Sequence, residues 1–177
     1  MSHSSSTAWE QTFSGLFQSS VDKYRKGHQK PSGLTDAKGQ AFLASIGHTE
    51  QEFFDFVEDF VRGGEPTLQT ALKIASVRRD YFLQEQKGKP SAHQISMDKL
   101  PAKDAEIEGI GWLPRLIPKA EAKLRGEMPP DLMFGCGGDR KFFKTHHVDP
   151  AEFLRKVWNT KGNQAEVVSW VKVQSSK

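Results

Sequence analysis

Residues 49–57 read Thr-Glu-Gln-Glu-Phe-Phe-Asp-Phe-Val, and residues 149–157 read Asp-Pro-Ala-Glu-Phe-Leu-Arg-Lys-Val. Each stretch begins with a residue that favours the cap of a helix, has Glu three positions later and continues with apolar residues. The second also has Pro at the first helical position, where a missing N–H costs nothing. Both stretches therefore predict the start of a helix, and they lie 100 residues apart.

The correspondence extends over residues 16–57 and 116–157 at the same offset. Seven residues of the first range recur unchanged in the second: Leu16, Lys23, Arg25, Phe42, Glu52, Phe53 and Val57. A repeat of this length indicates duplication of a helical unit, with the halves packed face to face around a pseudo-twofold axis. The predicted fold is all-α, a compact domain of two repeated three- to four-helix units. Its parts are a disordered tail (1–6), a first repeat (7–86), an inter-repeat linker (87–108) and a second repeat (109–177).

Helix boundaries follow from apolar periodicity, caps and glycines. In the second repeat, Pro118 falls inside a predicted helix, so that helix either starts near Pro118 or bends there. The stretch 165–173 is rich in Val and could form a strand, but no partner strand is evident. The predicted helices span about 7–26, 36–46, 49–63, 67–86, 112–126, 141–145, 149–158 and 165–173.

Composition narrows the classes of function. The chain has 177 residues and a net charge of +3, which is too weakly basic to argue for nucleic acid. Its one cysteine, Cys136, excludes an internal disulfide and fits a reducing compartment. No apolar run approaches the ~20 residues of a membrane span. We therefore expect a cytoplasmic protein without a membrane partner, and neither a cofactor nor a metal is implied.

The stretch 111–126 reads Gly-Trp-Leu-Pro-Arg-Leu-Ile-Pro-Lys-Ala-Glu-Ala-Lys-Leu-Arg-Gly. It resembles a bacterial family of small helical domains with no assigned function, in which a Leu-Pro-Arg helix start is followed four residues later by Lys. Asp139 and the stretch 149–153 lie where that family has its later acidic and aromatic positions. The resemblance covers residues 109–173 and extends only faintly to 9–61. It implies that the second repeat keeps any site, and it brings no activity.

Arg115 is the sharpest candidate for a ligand-binding residue. It occupies the first turn of a predicted helix, beside Trp112, where the helix dipole disfavours a cation. Such a residue either pairs with a carboxylate elsewhere or binds an anionic ligand, and both alternatives stay open.

The glycine-rich loop 135–138, followed by Asp139 and Arg140, is a second candidate for binding an anion. The simpler interpretation is that Asp139 caps a helix over 140–145. Cys136 with His146 or His147 could form a nucleophile–base pair or part of a metal site, but the spacing matches neither pattern. His147 aligns with Gly47, so closing a helix is its simpler role.

Arg78 and Arg79 lie on the predicted helix after Thr67, and at least one of them must face the core or a cleft. The simpler interpretation is an ion pair with Glu58 or Asp59, and the alternative is binding of a substrate. Asp55, together with those two carboxylates, is expected to form a solvated face.

Two classes of function remain. In the first, the protein binds a small anionic metabolite in a cleft between the repeats, and whether it also acts as an enzyme stays open. In the second, it is a non-catalytic interaction or self-association module whose aromatic last helix docks a partner or a second copy. That face would be formed by Val167, Trp170 and Val171. The residues proposed to line the cleft are Trp112, Arg115, Arg140, Arg78, Arg79 and Asp139.

Overall fold

The computed structural model describes residues 7–177, so the predicted tail at 1–6 lies outside the described residues. The described part is predominantly helical, which confirms the all-α prediction. The helices are α1 (Ala8–Arg25), α2 (Ala37–Ser45), α3 (Glu50–Gly63), α4 (Leu68–Gln84), α5 (Leu113–Arg125), α6 (Gly137–Thr145), α7 (Pro150–Asn159) and α8 (Gln164–Ser175). None of them is both long and apolar enough to cross a membrane.

The predicted helix caps at Thr49 and Asp149 are confirmed. Thr49 Oγ1 accepts a hydrogen bond from the Glu52 N–H, and the Glu52 carboxylate accepts one from the Thr49 N–H in return. At the start of α7, Asp149 Oδ1 accepts hydrogen bonds from the next two free N–H groups. These bonds satisfy backbone donors that the first helical turn leaves without partners.

Several boundaries recur at an offset of 100 residues. Helices α2 and α6 have matching bounds, and α3 and α7 start at matching positions. Gly47 and His147, each two residues beyond a matching helix, both have left-handed backbone, with φ of 76° and 53°. His147 therefore occupies the helix-closing position that the alignment assigned to it. Duplication itself stays a prediction, which superposition of residues 16–57 on 116–157 would check.

Equivalent pairs of helices pack together inside each half, but the contacts between the two halves are not symmetric. Helix α1 packs against α3 and α4, as α5 packs against α7 and α8. Between the halves, α4 packs extensively against α5 and α7. A twofold axis would require α8 to pack equally against α1 and α3, and in the described part of the chain it does not. One aromatic core, with Phe13, Phe53 and Phe153 fully buried, runs through both halves.

The segment 87–108 is more ordered than a plain linker. It contains a short 3-10 turn (Met97–Lys99) and the strand β1 (Glu106–Ile107), which pairs antiparallel with β2 (Ile110–Gly111). Pairs of two-residue strands leave almost no alternating pattern in a sequence, which is why this hairpin was not predicted. Helix α5 starts at Leu113 and continues through Pro118, so the later start is wrong. Pro118 removes one helical hydrogen bond without ending the helix.

Helix α8 does not offer the predicted docking face. Val167 and Val171 are fully buried, and Trp170 is half-buried with its ring centroid 6.4 Å from that of Phe153. The stretch is a helix and not a strand, because its β-branched residues pack onto the core of the second half. The proposal of a docking surface at these three residues is therefore wrong.

Candidate functional site

A cleft of about 420 Å³ lies between the two halves, and we call it the inter-half cleft. Its volume falls in the range of small-molecule sites, roughly 300–1,000 Å³. One wall comes from α3, the start of α4 and the loop before it, and the other from α6, the start of α7 and the loop 133–135. The lining residues are Phe56, Glu65, Pro66, Thr67, Thr70, Ile74, Met133, Phe134, Gly135, Arg140, Phe143, Lys144, His147, Val148, Asp149 and Pro150.

Arg140 is the principal cation on the wall of this cleft. Its Nη1 donates to Asp59 Oδ2 at 2.7 Å and to the Gly135 carbonyl oxygen at 2.8 Å. These bonds fix the guanidinium from both halves of the chain, since Asp59 belongs to α3. The Glu65 carboxylate lies nearby, 3.9 Å from Arg140 Nε and 3.1 Å from Lys144 Nζ. The cleft therefore combines apolar walls with a positioned guanidinium, which is the usual composition of a small-molecule site.

Beside the cleft, a buried ion pair joins α5 to α6. Lys119 Nζ lies 2.6 Å from Asp139 Oδ2, and both side chains are almost completely buried. Asp139 also accepts hydrogen bonds from Trp112 Nε1 and the Gly135 N–H, each at 2.8 Å. Lys119 Nζ donates further to Cys136 Sγ at 3.3 Å. All the charge in this group is satisfied internally, so its evident role is to hold the loop and α6 against α5.

The prediction that Asp139 caps a helix is wrong. Helix α6 begins at Gly137 with Cys136 as its cap residue, so Asp139 lies inside the first turn. The first turn still suits a carboxylate because of the helix dipole, but here the partner is Lys119 on another helix. The glycines allow this early start. A Cβ on Gly138 would overlap the Trp112 ring, so only glycine fits under that indole.

Among the described residues, Arg115 does not form the carboxylate pair considered for it. Its Nη1 donates to the carbonyl oxygen of Pro101 at 2.7 Å, which ties the segment between the halves to the start of α5. A ligand role for Arg115 stays a prediction, but the side chain does not line the inter-half cleft.

Arg115→Ala is expected to lower the free energy of unfolding by about 1.5–3 kcal/mol. That is the usual contribution of a hydrogen bond from a charged donor, and the Pro101 carbonyl would lose its partner. Denaturant unfolding of the variant beside wild type would measure the loss. A variant as stable as wild type would show that the bond to Pro101 contributes nothing.

Arg78 and Arg79 do not pair with Glu58 or Asp59, so that interpretation is wrong. Arg78 is buried, its Nη1 donates to Gln86 Oε1 at 2.8 Å, and burial lowers its pKa. Arg79 instead lies over the Trp9 ring, 5.1 Å from its centroid. The two carboxylates are engaged elsewhere, because Asp59 faces Arg140 from the second half and Glu58 accepts from a tyrosine hydroxyl.

A second charged cluster connects α3 with α5 through the core. Lys123 Nζ lies 2.9 Å from Glu52 Oε1, with both side chains nearly buried. Burial is the largest influence and disfavours the charged carboxylate, but the charges of Lys123 and His48 and the hydrogen bonds from Lys123 and the Thr49 backbone together lower the pKa of Glu52 to about 2. His48 is buried against this pair, and burial first, with Lys123 second, lowers its pKa to about 3. Asp55 is half-buried rather than fully solvated. It accepts a hydrogen bond from Gln51 Nε2 at 2.8 Å, and burial raises its pKa to about 6.

The structure brings together only some of the predicted site residues. Trp112 and Asp139 contact each other, Arg140 lines the inter-half cleft, and the other three arginines lie apart from it. Sequence reasoning missed Lys119, Glu65 and Asp59 as partners. Lys119 could have been noticed, since it belongs to the stretch that begins with Leu-Pro-Arg. The pair of Asp59 and Arg140 could not, because these residues are 81 positions apart.

The cysteine and histidines do not form a catalytic pair in any described contact. Cys136 contacts Lys119, His146 Nδ1 lies 2.9 Å from Ser175 Oγ, and His147 lines the cleft. Within residues 7–177, no group of three or more His, Cys, Asp or Glu side chains could hold a metal ion.

Comparison with known protein families gives a match that covers the second half of the chain. Residues 98–177 carry a domain described as "Domain of unknown function (DUF5069)". This range includes Trp112, Lys119, Asp139 and Arg140, while Asp59 and Glu65 lie outside it. No curated protein and no solved structure matches the chain.

Proposed function

We propose that this protein binds a small anionic molecule with an apolar body in the inter-half cleft. The observation that carries the proposal is the position of Arg140, whose guanidinium is fixed by Asp59 and Gly135 on the wall of a mostly apolar cavity. A guanidinium held in this way has little rotamer entropy left to lose, so an anion binds it at a low ordering cost.

Two further features of the cleft favour an anion. The starts of α4 and α7 both reach the cleft, through Thr67 and Pro150, and helix N-termini carry partial positive charge. Lys144 adds a mobile ammonium at the rim, since its side chain is 70% exposed. The apolar floor, which includes Phe56, Ile74 and Phe143, would cover the uncharged part of the ligand.

The duplicated build and the cytoplasmic location belong to the same proposal. If two copies of one helical unit form the chain, the cleft lies where the copies meet, a common place for a ligand site. The single Cys136 supports a reducing compartment, where small anionic metabolites are abundant.

Arg140→Ala is expected to weaken anion binding by at least about tenfold, because charge-assisted hydrogen bonds contribute roughly 1.5–3 kcal/mol. Native mass spectrometry of freshly purified protein would first identify co-purifying molecules. Thermal melts with a panel of carboxylates and phosphates would then compare wild type with the variant.

Arg155→Ala is the matched control for this experiment. Arg155 also forms an Arg–Asp pair between the halves, with Asp80 at 2.9 Å, but it lies outside the inter-half cleft. Each variant loses a partly exposed Arg–Asp pair, which contributes little to stability, and Arg140→Ala also loses the hydrogen bond to the Gly135 carbonyl. Equal anion binding by the two variants, or no anion shifting the wild-type melt, would contradict the proposal.

A further inference from the structure

Only part of the Arg140 guanidinium is used by the protein. Both of its hydrogen bonds, to Asp59 and to the Gly135 carbonyl, come from Nη1. Within residues 7–177, Nε and Nη2 make no hydrogen bond. These two nitrogens form one edge of a planar group, and their parallel N–H bonds match the two oxygens of a carboxylate.

Glu65 lies beside this edge without binding it. Its Oε2 is 3.9 Å from Arg140 Nε, beyond hydrogen-bond distance, and 3.1 Å from Lys144 Nζ. The Glu65 side chain is 44% exposed, and Lys144 is more exposed still, so this carboxylate is free to move. A ligand carboxylate on the Arg140 edge would be repelled by Glu65 in its present position.

We infer that the ligand of the inter-half cleft is a monocarboxylate with an apolar tail, and that Glu65 competes with it for Arg140 and Lys144. This inference rests on the proposed function. The ligand carboxylate pairs with the Nε–Nη2 edge, its tail lies on the apolar floor, and Glu65 turns outward to solvent. A phosphate dianion fits less well, because Asp59 already offsets the charge of the one fixed guanidinium.

The test uses Glu65→Gln with hexanoate, hexanamide and inorganic phosphate as probes, measured by calorimetry. Glu65→Gln removes the competing charge and keeps the shape of the side chain, so it should bind hexanoate about two- to fivefold more tightly than wild type. That range corresponds to the free energy of a solvent-exposed ion pair. Affinity for the uncharged hexanamide should stay unchanged, and phosphate should bind more weakly than hexanoate.

Glu108→Gln is the control, because Glu108 also pairs with an exposed lysine, Lys172, but lies far along the chain in the β-hairpin turn. Its hexanoate affinity should equal that of wild type. A thermal melt of Glu65→Gln checks that the variant folds, which its exposed position leads us to expect.

The possible outcomes separate this inference from the proposed function. Suppose that hexanoate binds wild type and that this binding requires Arg140, but Glu65→Gln binds hexanoate no more tightly than wild type. The inference that Glu65 competes with the ligand would then be wrong, and the proposed anion site at Arg140 would stand. If phosphate binds as tightly as hexanoate, the ligand class is wrong. If no probe binds either wild type or Glu65→Gln, the proposed function and this inference both fail.

Discussion

Replacing Lys119 by methionine is expected to lower the free energy of unfolding by about 3–5 kcal/mol, because Asp139 would remain as a buried carboxylate without its countercharge. Both side chains are essentially inaccessible to water, and their charged atoms lie 2.6 Å apart. Trp112 and Gly135 would still donate to Asp139, but neutral donors do not replace an ammonium. For a chain of this length, the loss corresponds to roughly 6–20 °C in the thermal midpoint.

A double variant shows whether the loss comes from the unpaired charge. Asp139→Asn added to Lys119→Met removes the remaining buried charge, so the double variant should be more stable than Lys119→Met alone. Lys172→Met is the control, because Lys172 forms an exposed pair with Glu108 and should change stability little. A Lys119→Met protein that unfolds at the same urea concentration as wild type would show that this pair does not hold α6 in place.

The Lys119–Asp139 pair also shows where sequence reasoning reached its limit. Amphipathic periodicity and caps predicted the eight helices of the described residues, because those signals are local and each lies within one element. The partner of Asp139 lies 20 residues earlier on another helix, so no local rule could identify it. Local reasoning assigned Asp139 to a cap, since Asp after a glycine loop ordinarily fills that role, and tertiary packing overrode it.

The candidate site was predictable only in outline. The repeat predicted a cleft between the halves, and the glycine-rich loop predicted that Arg140 could bind an anion. In the structure Arg140 lines a cleft between the halves. Arg115 and Arg78 were selected as candidate site residues because a cation that is buried, or that the helix dipole disfavours, needs a partner. Their partners are the Pro101 carbonyl and the Gln86 amide, which leave no signature in charge patterns. Sequence therefore indicated which residues are unusual, but not what each one contacts.

The pH dependence of stability should be set by two groups of opposite sign, His48 and Asp55. In the unfolded chain His48 becomes protonated below pH 6.5. In the folded chain it stays neutral down to about pH 3, because burial and the nearby Lys123 disfavour the imidazolium. The unfolded state therefore binds more protons in this window, and stability falls as pH decreases from 6.5. The slope is at most about 1.36 kcal/mol per pH unit.

Asp55 acts in the opposite direction. Burial raises its pKa to about 6 from an ordinary value of 3.8, so between these values the folded state binds the extra proton. Its contribution increases stability as pH falls from 6 to 3.8. Glu52, with its pKa lowered to about 2 by Lys123 against the effect of burial, adds a further loss of stability only below pH 4.5. Between pH 6 and 4.5 the effects of His48 and Asp55 should nearly cancel.

Single substitutions would separate the two groups. Asp55→Asn removes the stabilising protonation, so its stability should fall by about 2 kcal/mol from pH 6 to pH 4.5, where wild type changes little. His48→Asn leaves Asp55 to act alone, so its stability should rise by a similar amount over the same range.

Urea unfolding at pH 7, 6, 5 and 4.5 measures both slopes, and His93→Asn, at an exposed position between the halves, serves as the control. Parallel slopes in Asp55→Asn, His48→Asn and wild type would show that neither side chain titrates differently in the folded state. Opposite slopes would establish that the folded protein holds a buried, uncharged imidazole at His48 and a half-buried carboxyl group at Asp55 that titrates near pH 6.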